Sequence, residues 1–128
     1  MAKKIVRPRK VKIKDTDYHF TPQEDLHCFV KRKVRNKKTR TTRRQKLYGL
    51  IDYNKQIIAL EALQPTKEMV DTIIHEIFHG IIKEYEIPLD GRKEERFVRD
   101  LATGITDVLQ NNPKLTAWIK KRLEDSQS

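Results

Sequence analysis

The sequence predicts an α+β fold: a small antiparallel or mixed sheet containing a hairpin, then a helix carrying H-E-x-x-H, a second ligand-bearing helix and a short C-terminal helix. Three observations point there. Apolar residues in the first half recur in short β-type runs. Those in the second half recur at helical spacing. The two halves also differ in charge: residues 1–50 hold 17 Lys/Arg against 4 Asp/Glu, whereas residues 51–128 hold 11 against 14. The formal charge of +10 therefore belongs to the first half alone, which predicts a docking surface distinct from the rest of the molecule.

At 128 residues the chain is predicted to be a single domain, 1–128, large enough to bury a core without staples. Its one cysteine, Cys28, rules out an internal disulfide and a cysteine-based zinc cage. The opening MAKKIVRPRK has no signal-peptide apolar run, and no stretch is long enough to cross a bilayer. A cytoplasmic protein without membrane contact is expected.

In chain order, residues 1–10 read as a flexible basic arm. VKIKDTDYHF alternates charged and apolar residues and reads as one strand, and DLHCFVKRKV as a second. Residues 31–46 contain Lys31, Arg32, Lys33, Arg35, Lys37, Lys38, Arg40, Arg43, Arg44 and Lys46 and no acid. Such a segment cannot bury itself, and it reads as a solvated basic loop or the tip of a long hairpin. Its ten cations suit nucleic-acid phosphates or an acidic protein partner. The absence of aromatic residues argues against stacking on single strands.

KLYGLIDY and QIIALEAL flank Asn54-Lys55 and read as a tight hairpin, with Asn54 in the left-handed conformation. The helix that follows is expected to take Thr66 as N-cap and to carry Glu68 in its first turn. Val70, Ile73, Ile74, Ile77 and Ile81 supply its apolar positions. Pro88 and Gly91 are expected to end it and turn the chain. The next helix should place Phe97, Val98, Leu101, Ile105 and Val108 on one buried face, until NNP stops it. KLTAWIKKRLE makes the last helix.

Within the first helix, TIIHEIFHG sets His75 and His79 four residues apart, so both rings aim at one point. Glu76, one position on, can reach a water at that point, as in the H-E-x-x-H arrangement of metallopeptidases. Two neutral imidazoles on so apolar a helix would be costly without partners. The plain alternative is a pair of hydrogen-bonded core histidines. A catalytic zinc needs a third protein ligand and an open position. No histidine follows His79, so the third ligand is expected among Glu94, Glu95 and Asp100 on the antiparallel second helix.

HEIFHG, a turn, and EERFVRDLATGITDVLQNNP together resemble the gluzincin metallopeptidases, which carry H-E-x-x-H on one helix and a glutamate ligand on the next. The nearer likeness is to small phage-type proteins related to the ImmA/IrrE peptidases. These show a hairpin of the GLIDYNKQIIAL kind, then TLLHE-x-x-H, then EE-x-x-V-x-x-LA-x-GL. The similarity covers residues 47–113.

The resemblance implies a basic, cytoplasmic zinc metallopeptidase, working in the host cytoplasm if phage-encoded, with one Zn2+ per chain. His75, His79 and Glu95 would be the metal ligands, with Glu94 as the fallback, and Glu76 the general base. A peptide or protein substrate of narrow range would pair with QIIALEAL as an edge strand, a segment that reads equally as plain core. Oxyanion stabilisation is expected from Tyr85, His19 or Tyr18. Where gluzincins often carry an acid that orients a histidine, four residues after the ligand, this chain has Arg99. The competing function is a nucleic-acid-binding accessory protein on the same scaffold, with structural zinc or none.

Overall fold

The computed structural model describes residues 7–33 and 40–127. Among the described residues six strands precede three helices: β1 (Lys10–Ile13), β2 (Thr16–Gln23), β3 (His27–Lys33), β4 (Arg40–Lys46), β5 (Gly49–Asp52), β6 (Ile57–Glu61), α1 (Thr66–Glu84), α2 (Gly91–Asn111) and α3 (Pro113–Ser126). This is the expected α+β architecture, and its sheet is mixed. The strand order is β1-β2-β6-β5, with β2 and β6 parallel and the outer pairs antiparallel. Strands β3 and β4 leave this sheet as a separate antiparallel ribbon inserted between β2 and β5. No described helix is long and apolar enough to cross a membrane.

Several local expectations are corrected. VKIKDTDYHF is a hairpin rather than one strand, because Lys14 takes a left-handed conformation (φ 56°) between β1 and β2. The basic arm, expected to reach residue 10, is already attached to β2 at Arg9, whose carbonyl accepts from the Phe20 amide at 2.9 Å. Residues 1–6 of that arm lie outside the described residues. Of the two readings of the basic segment, loop or long hairpin, the hairpin is the one that fits, with ribbon strands over residues 31–33 and 40–46; residues 34–39 lie outside the described residues.

In the β5–β6 turn the left-handed residue is Gln56 (φ 56°), not Asn54. The Asp52 carboxylate accepts from the amides of Asn54 and Lys55, both at 3.0 Å, and holds the first part of the turn without a left-handed residue. Thr66 is the first residue of α1 rather than its cap. Pro65 precedes it, and no side chain caps this end. The reversal between α1 and α2 uses Glu86 (φ 52°), while Gly91 begins α2 behind Asp90, whose side chain accepts from the Lys93 amide at 3.0 Å.

The core forms where α1 lies on the sheet. Ile13, Tyr18, Ile58 and Leu60 are buried, and Met69, Ile73, Ile77 and Ile81 of α1 pack against them. Gly80 permits this approach, since a Cβ there would fall 2.6 Å from Cδ1 of Ile13. The opposite side of α1 meets α2 in antiparallel register, with Lys67 paired to Asp107 at 3.1 Å and Thr103 donating to Asp71 at 3.2 Å.

Val98, Ala102 and Thr106 form the buried stripe of α2. Of the face expected from periodicity, only Val98 is inside; Phe97, Leu101, Ile105 and Val108 are exposed. The small side chains of Ala102 and Thr106 let the two helices close together, and that rotation turns the larger apolar residues outward.

Glu61 closes the neck between the sheet and the ribbon. Its carboxylate, only 2% exposed as a residue, accepts from the amides of Leu26 at 2.6 Å and Asp25 at 3.2 Å. Asp25 itself is left-handed (φ 57°). These amides, Leu26 first, hold the Glu61 carboxyl below its ordinary value. A depressed folded-state pKa gives a stabilising contribution that is complete above the unfolded carboxyl value and is lost as pH falls through the folded one. Glu61→Gln is therefore expected to be less stable at neutral pH. In urea titrations the gap to the native sequence should narrow in acid; a gap independent of pH would exclude this role.

Candidate metal centre

The antiparallel pairing of α1 and α2 sets the start of α2 beside the middle of α1. Glu95 then spans both histidines: its carboxylate oxygens lie 3.0 Å from Nε2 of His75 and 2.9 Å from Nε2 of His79. The two Nε2 atoms are 3.2 Å apart. Glu94 meets the other side of His79, 2.7 Å from Nδ1. Of the three acids that the sequence leaves open, Glu95 is the one whose carboxylate joins both Nε2 atoms, while Glu94 pairs with His79 from the other side.

The donor set suits a divalent cation. Three lone-pair-bearing atoms converge, and four ligands at zinc–nitrogen and zinc–oxygen bond lengths would stand roughly 3.3–3.6 Å apart in a tetrahedron. Glu94 explains the orientation. When Nδ1–H of His79 donates to Glu94, Nε2 carries a lone pair, and its contact with the Glu95 carboxylate sets two acceptors face to face. A cation between them, or one further proton shared across the contact, resolves it. Burial, the larger effect, lowers the His75 pKa against the opposing pull of Glu95, so its ring favours the neutral form that ligates metal.

Glu76 is 6% exposed and makes no hydrogen bond among the described residues. Burial, reinforced by the Glu95 charge and opposed by His79, raises its pKa to about 7. The position is made by Gly49 at the start of β5: a Cβ there would lie 2.6 Å from Cγ2 of Thr72 and 3.3 Å from Oε1 of Glu76. Gln64 fixes this approach. Its amide donates to the carbonyls of Tyr48 at 3.1 Å and Glu61 at 2.8 Å, and its oxygen accepts from the Thr72 hydroxyl at 2.9 Å.

These groups line an open cleft of about 790 Å³, whose walls include Gly49, Leu50, Ile51, Tyr53, Arg99 and the ribbon base at Gln45 and Lys46. The edge strand on the cleft is β5, not the segment QIIALEAL. That segment supplies β6, which is paired on both sides by β2 and β5.

None of the three residues expected to stabilise an oxyanion lines the cleft. Tyr18 is buried and donates to Glu84 at 2.7 Å. Tyr85 caps the far end of α1, and His19 sits on β2 opposite Lys10. Tyr48 and Tyr53 are the phenols that line the cleft, and the Tyr53 hydroxyl lies 3.5 Å from the His79 carbonyl. Burial first, and then the charges of Glu94, Glu76 and Glu95, push its pKa up to about 12, so it remains a donor. Sequence reasoning missed Tyr53, which lies in a turn, and Gly49, whose role depends on a contact with a helix far along the chain. The adjacent acids Glu94 and Glu95 were the available sign that one could ligate while the other orients.

Lys46 lines the cleft. Lys31, Arg32, Lys33, Arg40, Arg43 and Arg44 belong to the ribbon strands, and Arg35, Lys37 and Lys38 lie outside the described residues. No family model matches the chain, and neither does any curated protein or solved structure.

Gly49→Ala is expected to destabilise the protein by about 1–3 kcal/mol through overpacking against the Thr72 methyl. Thr72→Ser, which removes that methyl and keeps the hydroxyl, should restore much of the loss. A double-mutant cycle in urea measures the coupling; no coupling would refute the contact.

Proposed function

We propose that the protein is a zinc-dependent metallopeptidase of the gluzincin type, acting on a narrow set of protein or peptide substrates. The observation that carries this reading is the convergence of His75, His79 and Glu95 on one point of a cleft that also holds the unpartnered Glu76. The resemblance of HEIFHG and the following helix to the gluzincins, and of the wider segment to ImmA/IrrE relatives, supports the same assignment.

His75, His79 and Glu95 would hold one zinc ion per chain, with Glu94 fixing the His79 ring from behind. Bound there, zinc supplies Lewis acidity toward a substrate carbonyl and an activated water. Glu76 accepts the proton of the attacking water and delivers it to the departing amine as the peptide C–N bond breaks. Its largely buried place in the cleft beside the two histidines suits that exchange. Tyr53 and Arg99, both on the cleft wall, are among the donors that could meet a developing oxyanion. The outer edge of β5 offers backbone groups to an extended peptide, and the small cleft favours a short recognition segment.

Protein purified without chelator or affinity tag is expected to carry about one zinc per chain, a stoichiometry read by elemental analysis. His79→Ala should lose it, Glu95→Ala should hold it weakly, and Glu94→Gln should reduce affinity about 10- to 100-fold. Glu76→Gln should retain zinc and fold while cleavage of a proteome-derived peptide library drops roughly 100-fold or more. Failure to take up zinc would remove the metallopeptidase reading. Zinc uptake with cleavage unaffected by Glu76→Gln would remove the assignment of the base.

A further inference from the structure

The peptidase reading leaves the β3–β4 ribbon without a task. We propose that this ribbon is an arm that binds double-stranded DNA through its phosphate backbone, independently of sequence. The inference does not rest on the metal centre.

The ribbon has the form such an arm needs. Seven residues on each strand pair in register from His27↔Lys46 to Lys33↔Arg40, apart from the four-stranded sheet. At the usual rise a strand of this length reaches about 24 Å. A two-stranded ribbon is one of the elements that the major groove of B-DNA admits.

Charge is distributed along the whole outer ribbon. The five consecutive register pairs Phe29↔Arg44, Val30↔Arg43, Lys31↔Thr42, Arg32↔Thr41 and Lys33↔Arg40 each contain at least one Lys or Arg and no acid. A ladder of this kind has no cross-strand pair of opposite charge, and Lys33↔Arg40 sets two cations in register. The arrangement is favourable when an external polyanion neutralises it.

Composition separates the two classes of polyanion. An acidic protein partner would need buried aromatic or aliphatic anchors to supply affinity and specificity. The first residues of β3 supply only Cys28, Phe29 and Val30, and in residues 31–46 the only apolar residue is Val34. The remaining side chains besides the ten cations are three Thr, one Asn and one Gln, all hydrogen-bond donors of the kind that contact phosphates. His27 and Phe29 are the only rings in residues 27–46, too few to stack on successive unpaired bases, which favours a duplex over a single strand.

The test is fluorescence anisotropy of the full-length protein with a labelled random-sequence DNA duplex, titrated with salt. For about four phosphate contacts, affinity should fall roughly 100-fold between about 50 and 200 mM salt. Replacing Lys31, Arg32, Arg43 and Arg44 together by Gln should weaken binding at least about tenfold and reduce the salt slope by roughly one per cation removed. Circular dichroism and zinc uptake of that variant should match the native protein, and the single variants Arg32→Gln and Arg43→Gln provide a milder series. His79→Ala should bind duplex normally, which separates this proposal from the metal site. The proposal is overturned if duplex binding is absent or insensitive to salt, or if the ribbon variants leave it unchanged. It is equally overturned if polyglutamate of matched length competes as well as duplex, which would assign the arm to an acidic protein, or if single-stranded DNA binds more tightly.

Discussion

Helix α1 must satisfy two neighbours at once, and the rest of the fold is arranged around that requirement. Its isoleucine row lies on the sheet while its histidine row faces α2. The two rows are only one or two residues apart in sequence, so neither can be adjusted without turning the other. Contact with the sheet fixes the rotation of the helix, with Gly80 allowing it to settle onto Ile13 and Gly49 allowing β5 to approach Glu76. Once that rotation is set, the imidazoles point where only the first turn of α2 can meet them. The small residues Ala102 and Thr106 then draw α2 close enough for its glutamates to reach.

The order of elements, the parting of strands from helices and the H-E-x-x-H helix were legible because each rests on a pattern local to a few turns of chain. Glu68 in the first turn of α1 follows from the same local logic. Patterns failed where a long-range contact overrode them. The buried side of α2 was misplaced because periodicity identifies an apolar stripe but cannot say that the stripe facing α1 is built from Ala102 and Thr106. QIIALEAL reads as strand, yet its central place depends on parallel pairing with β2 across the whole ribbon insertion. Of the metal cluster, the two histidines and the presence of a nearby acid could be read directly. The division of labour between Glu94 and Glu95 could not, because it depends on one helix's rotation against another.

The electrostatics of the cleft run against those of the molecule. The chain carries a formal charge of +10, yet Asp71, Glu76, Glu94 and Glu95 all line one cavity. Lys46 and Arg99 share its wall. Closely gathered carboxylates beside a histidine pair create a local negative potential that favours a small cation, while the basic surface elsewhere repels one. Large polyanions experience the opposite gradient, toward the first half of the chain. The two charge regions thus sort ligands by size and sign.

The neck closed by Glu61 has an evolutionary consequence. Where the ribbon joins the sheet, Leu47 donates to the Leu26 carbonyl at 2.9 Å, and the Glu61 carboxylate ties down the two amides just before β3. Entry and exit of the ribbon are therefore pinned side by side, and everything beyond them contributes nothing to the pairing of β2 with β6. Insertions, deletions or wholesale exchange of the hairpin can accumulate there while the body keeps its geometry. A lineage built on this scaffold could change what it docks onto by swapping one appendage, leaving the chemistry of α1 and α2 untouched.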